Sequence, residues 1–128
     1  ICIQFHGDED IDLINQSPLI NIKAITINEE NDIKQIYKYI DIDYYLFDRK
    51  TENKIGGTGK VFNWNIIKHI KLNSPFILAG GLGFDNVIEA INRVNPDIVD
   101  LNSKIEKYPG KKDIGLLYKT VNKIKSYF

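Results

Sequence analysis

The sequence has little that would point to an exported, membrane-bound or nucleic-acid-binding protein. Among its 128 residues there is one cysteine, Cys2. No disulfide can form within the chain, and a reducing cytosol is the default compartment. Seventeen basic residues balance seventeen acidic ones. That leaves no excess of Lys and Arg for a nucleic-acid stripe or a membrane-surface patch. The lysines toward the C-terminus (Lys104, Lys107, Lys111, Lys112, Lys119, Lys123 and Lys125) read as a solvated face. No apolar run approaches the roughly 20 residues that cross a bilayer. Methionine is absent. The chain opens inside an apolar run, Ile1-Cys-Ile-Gln-Phe5, with no basic leader before it. That opening reads as the middle of a fold.

What is present is an alternation. Short apolar runs at residues 1–5, 20–27, 43–47, 76–79 and 97–101 read as strands. Between and after them lie helical patterns at 8–16, 31–40, 63–70, 85–94 and 112–127. The helix over 31–40 is expected to bury Ile33, Ile36, Tyr37 and Ile40. The one over 85–94 is expected to bury Val87, Ile88 and Ile91, and the last to bury Leu116, Leu117, Val121 and Ile124. No hairpin signal separates the strands, so they are predicted to run parallel with helical crossovers. Two architectures fit, a doubly wound sheet or a piece of a (β/α)8 barrel. Five strands are too few to close a barrel, which takes at least about 200 residues.

In either architecture, ligands bind beyond the carboxyl ends of the strands. Polar and glycine residues gather there: His6 and Gly7 after the first strand, Asp48 at the end of the third, Gly80 and Gly81 after the fourth, Asp100, Asn102 and Ser103 at the fifth. Glycines between a strand and a helix leave backbone N–H groups open to close approach. The helix start adds unpaired donors and partial positive charge, a setting for phosphate. Asp85 or Asn86 would cap that helix. A plain glycine turn is the rival reading, and Asn102 with Ser103 on the adjacent loop favours phosphate.

Residues 49–62 form a polar loop with Gly56, Gly57 and Gly59. A Walker loop is excluded, because Lys54 stands where its first glycine should be and Val61 follows Lys60. The segment reads as a lid, with Thr58 and Lys60 able to reach a ligand, or as a plain connector. Asp48 follows Tyr45-Leu-Phe47, and desolvation there would raise its carboxyl pKa and prepare it as a proton donor. Its rival reading is a capping or salt-bridged aspartate, with Arg49 as partner. His6 can position a ligand or bond a neighbouring strand. Asp100 reads as a satisfied buried carboxylate.

The motifs QFHGDE (4–9), LFD (46–48), GGTGKVFNW (56–64), FILAGGL (76–82), DNVIEAI (85–91) and VDLNSKIE…PGKKD (99–113) occur in this order. Together they resemble phosphoribosylanthranilate isomerase, an enzyme of tryptophan biosynthesis. The resemblance implies a partial (β/α)8 barrel, a single domain over 1–128 holding the fourth to eighth strands with the first three absent. It implies the Amadori rearrangement of N-(5-phosphoribosyl)anthranilate, with no metal or cofactor, in the cytoplasm. It places Asp48 as general acid and His6 in the active site. Gly80, Gly81, Asn102 and Ser103 match the phosphate cradle, and Gly56, Gly57, Thr58 and Gly59 the segment over the substrate. The partner is then a small phosphorylated molecule, with no nucleic acid and no membrane, and the missing strands are needed in cis or in trans.

Two departures stand out. The family's general-base cysteine, in a Lys-Ile-Cys-Gly motif, is missing, and Cys2 is not its counterpart. The usual Ser-Ser-Gly-Val-Glu is Asn102-Ser-Lys-Ile-Glu106, with Lys104 in place of glycine. Two alternatives remain. One is another phosphate-binding barrel enzyme, such as a sugar-phosphate isomerase or indoleglycerol-phosphate synthase. The other is a partial barrel that binds phosphate without chemistry.

Overall fold

The computed structural model describes residues 1–49 and 61–128. Among the described residues, five strands form the main sheet: β1 (Cys2–Phe5), β2 (Ile20–Ile27), β3 (Tyr44–Arg49), β4 (Phe76–Leu78) and β5 (Ile98–Val99). Their spatial order equals their chain order, and every neighbouring pair is parallel. A doubly wound sheet reverses its strand order at a switch point; this sheet has no reversal. The helices α1 (Ile11–Asn15), α2 (Asn65–Lys68), α3 (Val87–Val94) and α4 (Ile114–Tyr127) follow β1, β3, β4 and β5. A 3-10 segment, Glu30–Lys38, follows β2.

The two sheet faces differ. Ile25 and Ile27 of β2, Tyr45 and Phe47 of β3 and Leu78 of β4 join Ile14 of α1, Ile36, Ile67 of α2 and Ala90 of α3 in one core. The opposite face carries a smaller cluster built from the strands themselves: Leu46, Ile77 and Ala79, with Ile22, Ala24 and Tyr44 against them. Since successive strand side chains alternate between faces, Asp48 shares the smaller face with Tyr44 and Leu46.

Three local outcomes differ from the sequence-based expectation. The segment over 31–40 is a 3-10 helix, with three residues per turn. Its inward stripe is therefore Ile33, Ile36 and Tyr39, and Tyr37 and Ile40 point out, 77% and 57% exposed. Along α4 the expected inward residues Leu116, Leu117, Val121 and Ile124 are only partly buried, while Thr120 is fully covered and donates to Leu116 O at 2.8 Å. Finally, an antiparallel hairpin of β6 (Glu106–Tyr108) and β7 (Lys111–Lys112) lies between β5 and α4. Pro109 and Gly110 make its turn, Gly110 at φ 84°. That Pro-Gly pair is the signal a type II turn requires.

Candidate active site

Parallel strands put all their carboxyl ends on one rim. There His6 follows β1, Thr26 lies one residue before the end of β2, Asp48 one before the end of β3, and Gly80 two after β4. Thr26 and Asp48 are register partners, so their side chains stand on the same face. The loop after β4 leaves the sheet through the Ala79 N–H bond to Phe47 O at 2.9 Å, then turns through Gly80 (φ 82°) and Gly81 (φ 68°). This turn brings Gly80 so close to Asp48 that a Cβ on it would lie 2.6 Å from Asp48 Oδ1.

Asp48 is half-buried. Burial pushes its carboxyl pKa up. The Arg49 N–H, donating to Oδ1 at 2.6 Å, opposes that rise, the Asp100 carboxylate adds to it, and the His6 imidazole pulls the other way. Asp48, at the end of β3, thus packs against Gly80 and feels the charges of His6 after β1 and Asp100 after β5. A carboxyl whose pKa is raised by burial and by a second carboxylate is suited to acid chemistry. Asp100 departs from expectation: it is exposed beyond the two-residue β5, with its N–H bonded to Leu78 O at 2.9 Å. A cleft of about 320 Å³ opens beside His6, lined also by Gly7, Asp8, Thr26, Asp32 and Gln35.

The glycine turn is shaped by Asn86. Its Oδ1 accepts from Gly83 N–H and its Nδ2 donates to Gly81 O, each at 2.9 Å. Asn86 occupies the cap position of α3, but its side chain does not bond the helix's own N–H groups. The expected cap is instead a clamp on the preceding loop. Among the described residues, neither Gly80 N–H nor Gly81 N–H donates to a protein group. From the other side, Lys123 Nζ donates to Phe84 O at 2.7 Å and lies 4.3 Å over the Phe84 ring.

The loop after β5 completes the rim. Gly83 packs against Lys104, whose Cβ would stand 2.7 Å from a Cβ on the glycine. That contact sets the loop after β5, which carries Asn102 and Ser103, against the loop after β4. Lys112 Nζ donates to Glu106 Oε1 at 2.7 Å, to Asn102 O at 3.2 Å, and to Asn102 Oδ1. The hydrogen bond from Lys112 also holds Glu106 below the usual carboxylate range. The hairpin thus pins Asn102, turning its side-chain oxygen toward the lysine. Asp113 caps α4 by accepting from Leu116 N–H at 3.0 Å. Cys2, exposed at the start of β1, lies at the opposite end of the strands from His6. The expected lid residues Gly56, Gly57, Thr58 and Gly59 lie outside the described residues.

A family profile described as N-(5'phosphoribosyl)anthranilate (PRA) isomerase matches residues 1–123. A protein of Petrotoga mobilis named N-(5'-phosphoribosyl)anthranilate isomerase is 52% identical over 125 residues, 97% of this chain and 60% of the relative's own length. A Thermoanaerobacter protein of the same name is 42% identical over 124 residues, again 60% of its length. The crystal structure of phosphoribosyl anthranilate isomerase from Thermotoga maritima superposes with a TM-score of 0.85 at 34% identity, covering 98% of this chain and 62% of that one. A further isomerase structure, in complex with reduced 1-(o-carboxyphenylamino)-1-deoxyribulose 5-phosphate, superposes at 0.78 with 28% identity, covering 98% and 59%. The chain spans about 60% of the length of the curated relatives it matches. On its parallel sheet and the family profile that runs nearly its full length, this chain belongs to the N-(5'-phosphoribosyl)anthranilate isomerase family.

Proposed function

We propose that this chain carries the acid and phosphate-binding side of a phosphoribosylanthranilate isomerase, acting in tryptophan biosynthesis in the cytoplasm. The single observation that carries the reading is the packing of Gly80 against Asp48. It puts a partly desolvated carboxyl beside a glycine turn with open N–H groups. The chain is read as one domain, an arc of a (β/α)8 barrel comprising its fourth to eighth strands. Sequential strand order and helices gathered on one face support that reading.

Asp48 donates a proton to the furanose ring oxygen of N-(5-phosphoribosyl)anthranilate, which opens the ring to a Schiff base. Its raised pKa favours the protonated form that this step requires. Loss of the C2 proton then gives an enolamine, which settles to the ketose. The imine is the electron sink, so the scheme calls for no metal or organic cofactor. Gly80 and Gly81, with Asn102 and Ser103, hold the phosphate, and the segment with Gly56, Gly57, Thr58 and Gly59 covers the substrate. His6 lines the rim cleft and orients the sugar.

The base that takes the C2 proton is expected on the strands outside this chain, in a Lys-Ile-Cys-Gly motif. Removing a proton-transfer partner lowers rate by about 10²- to 10⁴-fold, so the chain alone is expected to turn over little or no substrate. The test is to supply an N-terminal three-strand segment bearing that motif, in cis or in trans, and follow the loss of substrate fluorescence. Activity that appears with the segment and disappears when its cysteine is changed to serine supports the reading. No gain over the chain alone counts against it.

A further inference from the structure

Lys23 is 1% exposed, on the face of β2 that the helices cover. A buried ammonium persists only where its charge and its N–H groups are met. Here Nζ donates to Glu9 Oε2 at 2.8 Å and to Gly7 O, and it lies 4.5 Å over the ring of Tyr39. The other oxygen of the same carboxylate, Glu9 Oε1, accepts from Gly7 N–H at 2.8 Å. One ion pair therefore binds both backbone polar groups of Gly7, the residue after His6. Gly7 has no Cβ, and one placed there would come within 3.2 Å of Glu9 Oε1.

Stability alone does not account for this arrangement. Beyond Lys23 on the same face, Ile25 and Ile27 are fully buried aliphatics. Replacing a buried ion pair by apolar residues of similar size is commonly neutral or stabilising. What an aliphatic at position 23 could not do is reach across to the β1 loop and hold its N–H and C=O at once. We propose that Lys23 and Glu9 are positioning residues, an ion pair with a buried lysine that fixes the backbone at Gly7 and so aims His6 into the rim cleft. The inference rests on the reading of His6 as a site residue. The mechanism above uses neither Lys23 nor Glu9.

The experiment uses the ¹⁵N-labelled chain and the variants Lys23→Met, Glu9→Gln, the two combined, and Glu9→Asp. Each single neutral variant strands the other member of the pair and is expected to lose stability. The double variant removes both charges and is expected to fold, melting close to the parent. In it, Gly7 amide exchange should accelerate roughly 10- to 100-fold, as expected for loss of a hydrogen bond to a charged group. The His6 imidazole resonances should broaden or split. Binding of inorganic phosphate at the glycine turn after β4 should stay within about twofold. A double variant with a protected Gly7 amide and one sharp set of His6 signals overturns the inference, because the pair would then serve packing alone.

Glu9→Asp covers the case of poor folding in the double variant. It keeps the charge but withdraws it by one methylene, so faster Gly7 exchange supports the inference and unchanged exchange overturns it. These readouts require no turnover. They decide the point even if the parent binds no phosphate, a result that would count only against the isomerase reading.

Discussion

Gly80 stands against Asp48 so closely that a single added methyl would collide with the carboxylate: 2.6 Å from Oδ1, and 2.9 Å from the Arg49 nitrogen behind it. The glycine is required twice, once for that contact and once for its φ of 82°. Gly80→Ala is expected to destabilise by about 1–3 kcal/mol, from left-handed backbone strain plus the collision. Because the methyl displaces the acid itself, turnover of a reconstituted enzyme should fall by about 10²-fold, the usual consequence of misplacing a reacting group by about an ångström. Urea denaturation and the fluorescence assay measure the two effects separately. Wild-type turnover in a destabilised Gly80→Ala protein would break the link between turn and acid.

Asp48→Asn should separate stability from activity. Burial raises the carboxyl pKa, the Arg49 N–H opposes it, and Asp100 adds to it. With the folded value above the unfolded one, the folded state holds the proton more tightly. The stabilising contribution is thus full below the ordinary carboxylate pKa of about 4 and is lost as pH rises through the folded value. At neutral pH the ionised group is a liability. Asp48→Asn, which can still accept from Arg49 N–H, should melt higher than the parent at pH 7 and show no such gain at about pH 3. Turnover should drop by about 10²- to 10⁴-fold. Equal melting points across that range would show that Asp48 ionises freely.

The strands and the rim were legible in the sequence because they rest on local signals. Apolar runs such as FILA can only be buried, and parallel strands gather their carboxyl-end residues without further information. Other features depend on choices the local pattern does not encode. The stripe Ile33, Ile36, Tyr39 and the stripe Ile33, Ile36, Tyr37, Ile40 are both present in the same ten residues, and only packing selects the tighter helix. In INIKAITI the buried face of β2 is Asn21, Lys23, Ile25 and Ile27. Half of that face is polar, so alternation gives no hint that Lys23 points inward. The Pro109-Gly110 hairpin was the readable feature that was missed, and with it the role of Lys112 in holding Asn102.

The same ion pair predicts an acid-sensitive limb. Burial alone would raise the pKa of Glu9, but the Lys23 hydrogen bond, the Gly7 N–H and the Lys23 charge outweigh it and hold it at about 2 against an ordinary 4.5. A depressed folded pKa contributes stability that is complete above about pH 4.5 and is lost as pH falls toward 2. The Glu9 side chain is 25% exposed. Solvent screening therefore leaves roughly 2 kcal/mol of the full linkage value. Urea midpoints between pH 5 and pH 2 should fall more steeply for the parent than for Lys23→Met/Glu9→Gln, by about that amount. Parallel pH profiles would mean that Glu9 is not held below its ordinary range.

Asn86 offers the sharpest test of what the glycine turn is for. Its amide spans the turn, accepting from Gly83 N–H and donating to Gly81 O. Asn86→Ala removes both bonds, with an expected loss of about 1–2 kcal/mol and roughly five- to tenfold weaker phosphate binding as the turn loosens. Asn86→Asp keeps the acceptor for Gly83 but turns an anionic oxygen on Gly81 O, next to the open glycine amides. If the turn receives phosphate, that charge repels it, and affinity should rank parent, then alanine, then aspartate. If Asn86 served only as a helix cap, Asp would replace Asn with little loss, since the two cap about equally well, and aspartate would rank above alanine. Titration calorimetry with inorganic phosphate reads the order directly, and the position of Asp in it decides whether the turn is an anion site or a helix start.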